Sequence, residues 1–173
     1  MKKLIAALLL VVCNFALVAC SSSSEEAPAE EKTAQQIDLE IYKPVRSAAA
    51  SYDKINTMMA QLESGETSVQ ELGDYCQQVI DWGVDWTDEL DAITADGTEE
   101  YVDISTTYVT NVCAVALYLS NYIEDNSLED LQKANDTLPL LPDALAEVNA
   151  ARETYLTDSG YSAEEVEKIL AAG

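Results

Sequence analysis

The chain has no histidine among its 173 residues, which removes the commonest general base and the usual ligand of zinc and copper. It also lacks a glycine-rich phosphate loop and the Gly-X-Ser-X-Gly motif of serine hydrolases. We therefore expect that the protein has no enzymatic activity, binds no metal ion and carries no cofactor other than a covalent lipid. Carboxylate chemistry is the one enzymatic alternative, and it requires that acidic residues from different helices meet in a cleft.

Basic residues are scarce as well. Nine Lys and Arg stand against 32 Asp and Glu, for a net charge of −23. Nucleic acids and anionic lipid headgroups are bound by clustered basic residues, so neither is expected to contact this domain directly. The acidity is explained either by solubility outside the cell or by the attraction of a cationic ligand.

The first twenty residues have the layout of an export signal. Lys2 and Lys3 precede an apolar run over residues 4–18, which is shorter than the roughly 20 residues that span a bilayer. The run ends in LVAC, residues 17–20, with small side chains followed at once by Cys20. This quartet resembles the lipobox of bacterial lipoproteins.

The resemblance covers residues 1–20 alone. It implies that residues 1–19 are a signal peptide cleaved before Cys20. The Cys20 thiol would then carry a diacylglyceryl group, and the new amino terminus a fatty acyl chain such as palmitate. Because each buried methylene contributes about 0.8 kcal/mol, two or three chains anchor a protein stably. We expect a protein bound to the lipid bilayer through Cys20, on the extracytoplasmic face of the cell membrane or the outer membrane.

Residues 20–32 then form an acidic tether. Ser, Glu, Ala and Pro dominate it without any apolar period, which predicts disorder. Cleavage removes Lys2 and Lys3, so nine basic residues become seven against 32 acidic ones, and the net charge becomes −25. Residues 33–173 are expected to be a single helical domain, long enough to bury a core.

Apolar residues recur every three or four positions through most of residues 33–173, and no sustained run alternates with period two. Capping signals predict helix starts at Thr33, at Ser68, at Asn126 or Ser127, and at Ser162. The wide apolar stripe after the turn at residues 94–98 predicts that the third helix is the most buried.

Four long helices joined by tight connections predict an all-α fold. An up-and-down four-helix bundle with a short C-terminal helix is its natural form, and two helical hairpins packed at a steeper angle are the alternative. Pro44 should kink the first helix, and Pro139 with Pro142 the fourth, because proline lacks the N–H that a helix interior uses.

Two cysteines remain once Cys20 is lipidated and Cys13 is cleaved off with the leader. Cys76 and Cys113 lie nearly equidistant from the turn at residues 94–98, so an antiparallel hairpin would bring them close to level. A disulfide and two separate buried thiols are both open at this point. Neither cysteine belongs to a Cys-X-X-Cys motif, which argues against redox catalysis.

The candidate ligand site is DWGVDWTDELD, residues 81–91. On a helix its acidic residues share one face and its tryptophans a neighbouring face: Asp81, Asp85 and Asp88, and Trp82 and Trp86. Carboxylates beside indole rings could bind a cationic ligand or Ca²⁺. The alternative is a solvated acidic face beside ordinary packing residues.

These patterns together predict a membrane-anchored, extracytoplasmic helical domain without catalytic activity. Its role would be to bind an envelope protein or a small ligand. A structural spacer in the cell envelope is the alternative, and it would expose an apolar patch where a partner docks.

Overall fold

The computed structural model describes residues 32–172, and this part of the chain contains helices and no β-strand. The all-α prediction is confirmed. The predicted signal peptide, Cys20 and residues 20–31 of the tether lie outside the described residues, so those assignments stay predictions.

The described chain consists of six α-helices and one short 3-10 helix. They are α1 (Ala34–Ser64), α2 (Val69–Asp91), α3 (Glu99–Asp125), α4 (Leu128–Thr137), the 3-10 helix Leu138–Leu140, α5 (Leu141–Asp158) and α6 (Ala163–Ala172). Helix α3 packs against α1, α2, α4 and α5, while α6 packs against α5. The core is therefore built around α3.

Four of the six α-helices, α1, α2, α4 and α6, begin directly after a predicted capping residue. Thr33 and Ser68 each accept the backbone N–H three residues on, and the side chain at that position accepts the N–H of the cap. Ser127 accepts one such N–H at the start of α4, and Ser162 donates its own N–H to Glu165 at the start of α6. These bonds satisfy backbone donors that have no partner inside the helix.

The prolines have two different settings. Pro44 is buried inside α1, which continues without interruption from Ala34 to Ser64. Pro139 lies in the 3-10 helix, and Pro142 lies in the first turn of α5. A first turn tolerates proline because its N–H would have no helical partner there. The long fourth segment is thus divided into α4 and α5.

Helix α3 contributes more buried residues to the core than any other described helix, as its wide apolar stripe predicts. Within residues 32–172 it is also the one helix long and apolar enough to cross a membrane. Core helices of soluble proteins pass the same test, and α3 contacts four other helices. These contacts bury nine of its residues, while Leu117 remains exposed.

Two glycines set the register between α2 and α3. A Cβ added at Gly83 would collide with the sulfur of Cys113, and one added at Gly73 would lie 3.3 Å from Cγ2 of Ile123. Thr98 lies midway between the members of both pairs. The two helices are therefore antiparallel, and residues equidistant from Thr98 are level.

This register separates the two cysteines, which are both free thiols. Cys113 is level with Gly83, seven residues or about 10 Å of helix beyond Cys76. A disulfide requires Cα atoms roughly 6 Å apart, so of the two alternatives the structure has separate thiols. Residues equidistant from the turn at residues 94–98 would be level only across a symmetric connection, whereas α2 ends seven residues before Thr98 and α3 begins directly after it.

The Gly83–Cys113 contact gives a test of the register. Gly83→Ala should lower the free energy of unfolding by about 1–3 kcal/mol, because the new methyl group overpacks the contact. In a Cys113→Ala background the same change should be neutral or stabilising, since alanine favours a helix by about 1 kcal/mol over glycine. Urea unfolding followed by circular dichroism measures both values.

The matched control is Gly83→Ala in a Cys76→Ala background, where the full loss should remain. Equal losses in the Cys76→Ala and Cys113→Ala backgrounds would contradict this register.

Candidate functional site

An open groove lies between α1 and α2 and holds both predicted tryptophans. We name it the indole groove; it encloses about 490 Å³ and is lined by Ser47, Ala50, Ser51, Lys54, Tyr75, Trp82 and Trp86. The Trp82 and Trp86 rings lie 6.2 Å apart and are tilted by 40°, and Trp82 meets Tyr75 edge to face at 6.1 Å. Trp82 remains 41% exposed. The three rings form a continuous aromatic wall along α2.

The opposite wall of the indole groove carries a positive charge. Lys54 Nζ lies 4.0 Å from the centre of the Tyr75 ring, within the range of a cation–π contact. Elsewhere between α1 and α2, Lys43 pairs with Glu89 at 2.7 Å. A cation of the protein itself therefore already occupies one aromatic face of the groove, which disfavours the binding of a second cation there.

The predicted acidic residues do not join the tryptophans in this groove. Asp81, Asp85 and Asp88 are exposed, and by helical periodicity they lie on the side of α2 opposite its core-facing residues. Asp81 accepts a hydrogen bond from Gln77 at 3.1 Å. Within residues 32–172 no group of three or more Cys, Asp or Glu is placed to hold a metal ion.

A buried polar cluster that the sequence patterns did not predict is centred on Asp38 and Arg152. Arg152 donates from Nε and Nη2 to the two carboxylate oxygens of Asp38, at 2.8 and 2.9 Å. Tyr101 donates its hydroxyl to Asp38 at 3.2 Å, and the Tyr42 ring centre lies 3.9 Å from the guanidinium carbon. Arg152 also donates to the Ile169 carbonyl of α6 at 3.5 Å. These contacts connect α1, α3, α5 and α6.

Burial and charge fix the protonation of this cluster. Burial alone would lower the pKa of Arg152, but the hydrogen bonds and the negative charge of Asp38 outweigh it and raise that pKa. Burial, and then the Asp38 charge, raise the pKa of the Tyr101 phenol far above its ordinary value. Arg152 is therefore charged and Tyr101 is a neutral donor at physiological pH.

A signal for this cluster was present in the sequence. Asp38 falls three residues before Ile41 and seven before Val45, which places it on the buried face of α1. Arg152 falls four residues after Val148 and three before Tyr155 on the buried face of α5. A single charge of opposite sign at a core position on each of two helices indicates a buried ion pair.

A second cleft lies between α3 and α5, beside the buried cluster. We name it the tyrosine cleft; it encloses about 340 Å³, and Tyr101 and Tyr155 line it. Their ring centres lie 6.0 Å apart. The cleft is also lined by exposed carboxylates from both helices, which are Glu100, Glu147 and Asp158. Acidic residues of different helices therefore do meet at one cleft.

The Asp38–Arg152 pair predicts a large loss of stability when one partner is removed. Arg152→Met should lower the free energy of unfolding by about 3–5 kcal/mol, because Asp38 would remain buried without its partner. The double variant Asp38→Leu, Arg152→Met should be clearly more stable than Arg152→Met alone. Urea unfolding of the three proteins gives the comparison.

Lys168→Met is the matched control, because it breaks the exposed Lys168–Glu164 pair, whose N–O distance is also 2.8 Å. Its stability should be nearly unchanged, since exposed pairs contribute little. A loss for Arg152→Met no larger than that of the control would contradict the buried pair.

No protein-family model matches this chain, and no curated protein and no solved structure matches it. The assignment of a function therefore depends on the residues and contacts described above.

Proposed function

We propose that the protein is a lipoprotein that is anchored through Cys20 on the extracytoplasmic side of a bilayer, and that its helical domain binds a partner without catalysing a reaction. The LVAC quartet at the end of an apolar run supports the anchor. The indole groove supports binding, and the 41% exposure of Trp82 is the observation that carries it. Tryptophan buries more apolar area than most side chains, so an exposed indole in a groove is typical of a contact surface.

The contacts between helices support the up-and-down four-helix bundle, with α4 and α5 sharing the fourth position. Lys43 meets Glu89 and Lys54 meets Tyr75, so later residues of α1 contact earlier residues of α2. These two helices are thus antiparallel, as α2 and α3 are. Arg152, near the end of α5, meets the start of α1, which fits an antiparallel fourth helix.

The protonation of the two thiols and the exposure of the cleft carboxylates support a role without catalysis. Burial raises the pKa of Cys76 to about 12 and that of Cys113 to about 11, so neither thiol is an activated nucleophile at neutral pH. The carboxylates of the tyrosine cleft, Glu100, Glu147 and Asp158, are exposed. A carboxyl group that serves as a general acid is more often held in an apolar pocket that raises its pKa.

A protein of the cell envelope is the partner that this groove fits best. Small-ligand sites enclose most of their ligand, whereas the indole groove is open along one side. Rigid aromatic side chains at such a surface commonly supply most of the binding energy in protein complexes. The spacer alternative is less favoured, because the large exposed apolar side chains of the described residues lie on five different elements.

The anchor is tested by changing the lipidated residue. Cys20→Ser should abolish metabolic labelling with an alkyne analogue of palmitate and release the protein from the membrane fraction. Loss of the acyl chains removes the main source of membrane affinity, since the domain is strongly acidic.

Cys13→Ser is the control, and labelling should persist in it. A Cys20→Ser protein that stays labelled and membrane-bound would contradict the proposed anchor.

The binding surface is tested by photo-crosslinking in intact cells. A benzophenone amino acid in place of Trp82 should give a defined crosslinked adduct with an envelope protein, because this position lies in the indole groove. The same amino acid at Asp88, on the exposed side of the same helix, should give none. Immunoblots of whole cells detect the adduct. Adducts from both positions, or from neither, would contradict a protein partner at the groove.

A further inference from the structure

We propose that the partner segment at the indole groove is an acidic amphipathic helix, whose carboxylates meet Lys54 and whose apolar side chains pack on Trp82 and Trp86. This inference rests on the proposed function, because it names the chemistry of the protein partner at the same groove. Three observations carry it: the pairing of the lysines, the exposure of the indole rings and the shape of the groove.

Lys54 differs from the other lysines of residues 32–172, because it pairs with no carboxylate of this range. The other four lysines each form a salt bridge at 2.7 or 2.8 Å, and they are Lys32, Lys43, Lys133 and Lys168. Lys54 instead lies over the Tyr75 ring, with Nζ 4.0 Å from the ring centre. An ammonium group has three donors, so Lys54 can still donate charge-assisted hydrogen bonds to a carboxylate that arrives from another protein.

The charge around the indole groove is positive on the α1 side. Residues 41–62 hold three basic residues and one acidic residue, a net charge of +2 in a chain whose net charge is −23. Among the described residues that line the groove, Lys54 is the one that carries a charge. The Glu89 carboxylate, which also lies between α1 and α2, is paired with Lys43. Salt screens charges beyond about 8 Å, so an incoming side chain in the groove responds mainly to Lys54.

The indole rings offer accessible apolar surface beside this charge. Trp82 is 41% exposed, and Trp86 is partly exposed. Large aromatic side chains of this kind supply much of the binding energy in protein complexes. Tyr75, in contrast, is 7% exposed and serves as the platform under Lys54 rather than as a contact for the partner.

The shape of the groove suits a helix. Tyr75 and Trp86 are eleven residues apart on α2, which corresponds to about 16 Å or three helical turns. The wall from α1 consists of the small residues Ser47, Ala50 and Ser51, which allow another backbone to approach closely. A groove between two helices is a common docking site for the apolar face of an amphipathic helix.

A thermodynamic cycle tests the role of Lys54 in the mature lipidated protein in a nonionic detergent. The probes are two amidated peptides with the same Leu and Ala residues at helical spacing and with either Glu or Gln at the remaining positions. Lys54→Gln should weaken binding of the Glu peptide by about threefold and leave binding of the Gln peptide nearly unchanged, since an exposed ion pair contributes modestly. Both tryptophans of the chain line the groove, so tryptophan fluorescence reports binding at this site.

Lys168→Gln is the matched control, because it removes the same charge from a lysine that pairs with Glu164 outside the groove. It should change the affinity for neither peptide. Equal effects of Lys54→Gln on the two peptides, or equal effects of the two lysine variants on the Glu peptide, overturn the acidic partner. Failure of the Glu peptide to bind overturns it as well.

A measurement in intact cells separates this inference from the proposed function. With the benzophenone amino acid at position 82, Lys54→Glu should reduce the crosslinked adduct by at least about threefold, because attraction becomes repulsion, whereas Lys168→Glu should leave it unchanged. An adduct that is indifferent to Lys54→Glu overturns the acidic partner and leaves the proposed function in place. Absence of an adduct in the parent protein overturns both.

Discussion

The ion pair between Asp38 and Arg152 is the constraint on which the rest of the fold depends. Two charges withdrawn from water are tolerated only where both are paired and hydrogen-bonded. Here the Asp38 carboxylate accepts hydrogen bonds from Nε and Nη2 of Arg152 and from the Tyr101 hydroxyl, while the Tyr42 ring covers the guanidinium. A shift of α1 or α5 by one helical turn would leave a charge unpaired in the core, and a shift of α3 would remove the Tyr101 hydroxyl from Asp38. The pair therefore selects one alignment of these helices, whereas apolar contacts would tolerate several.

The same constraint connects the core to the surface. The hydrogen bond to Asp38 fixes the orientation of the Tyr101 side chain. Tyr101 also lines the tyrosine cleft beside Tyr155. The two concave surfaces differ in charge, because Lys54 contributes to the indole groove and three carboxylates contribute to the tyrosine cleft. A strongly acidic chain thus presents two chemically distinct surfaces, and their difference arises from where a few basic residues lie.

Capping residues and apolar spacing predicted most of the helices. They did not predict which residues of different helices contact one another. Helix starts at Thr33 and Ser68 depend on hydrogen bonds within three residues, so the sequence reveals them directly. Which residue of α2 lies opposite Cys113 depends instead on the asymmetric connection before α3. The spacing of apolar residues does not predict this asymmetry. The Asp38–Arg152 pair joins residues 114 positions apart. The apolar spacing shows that each charged residue lies at a core-facing position, but it does not show which residue is its partner. Helical periodicity correctly placed the acidic residues and the tryptophans on separate faces of α2. That α1 forms the opposite wall of the indole groove could be seen only in the structure.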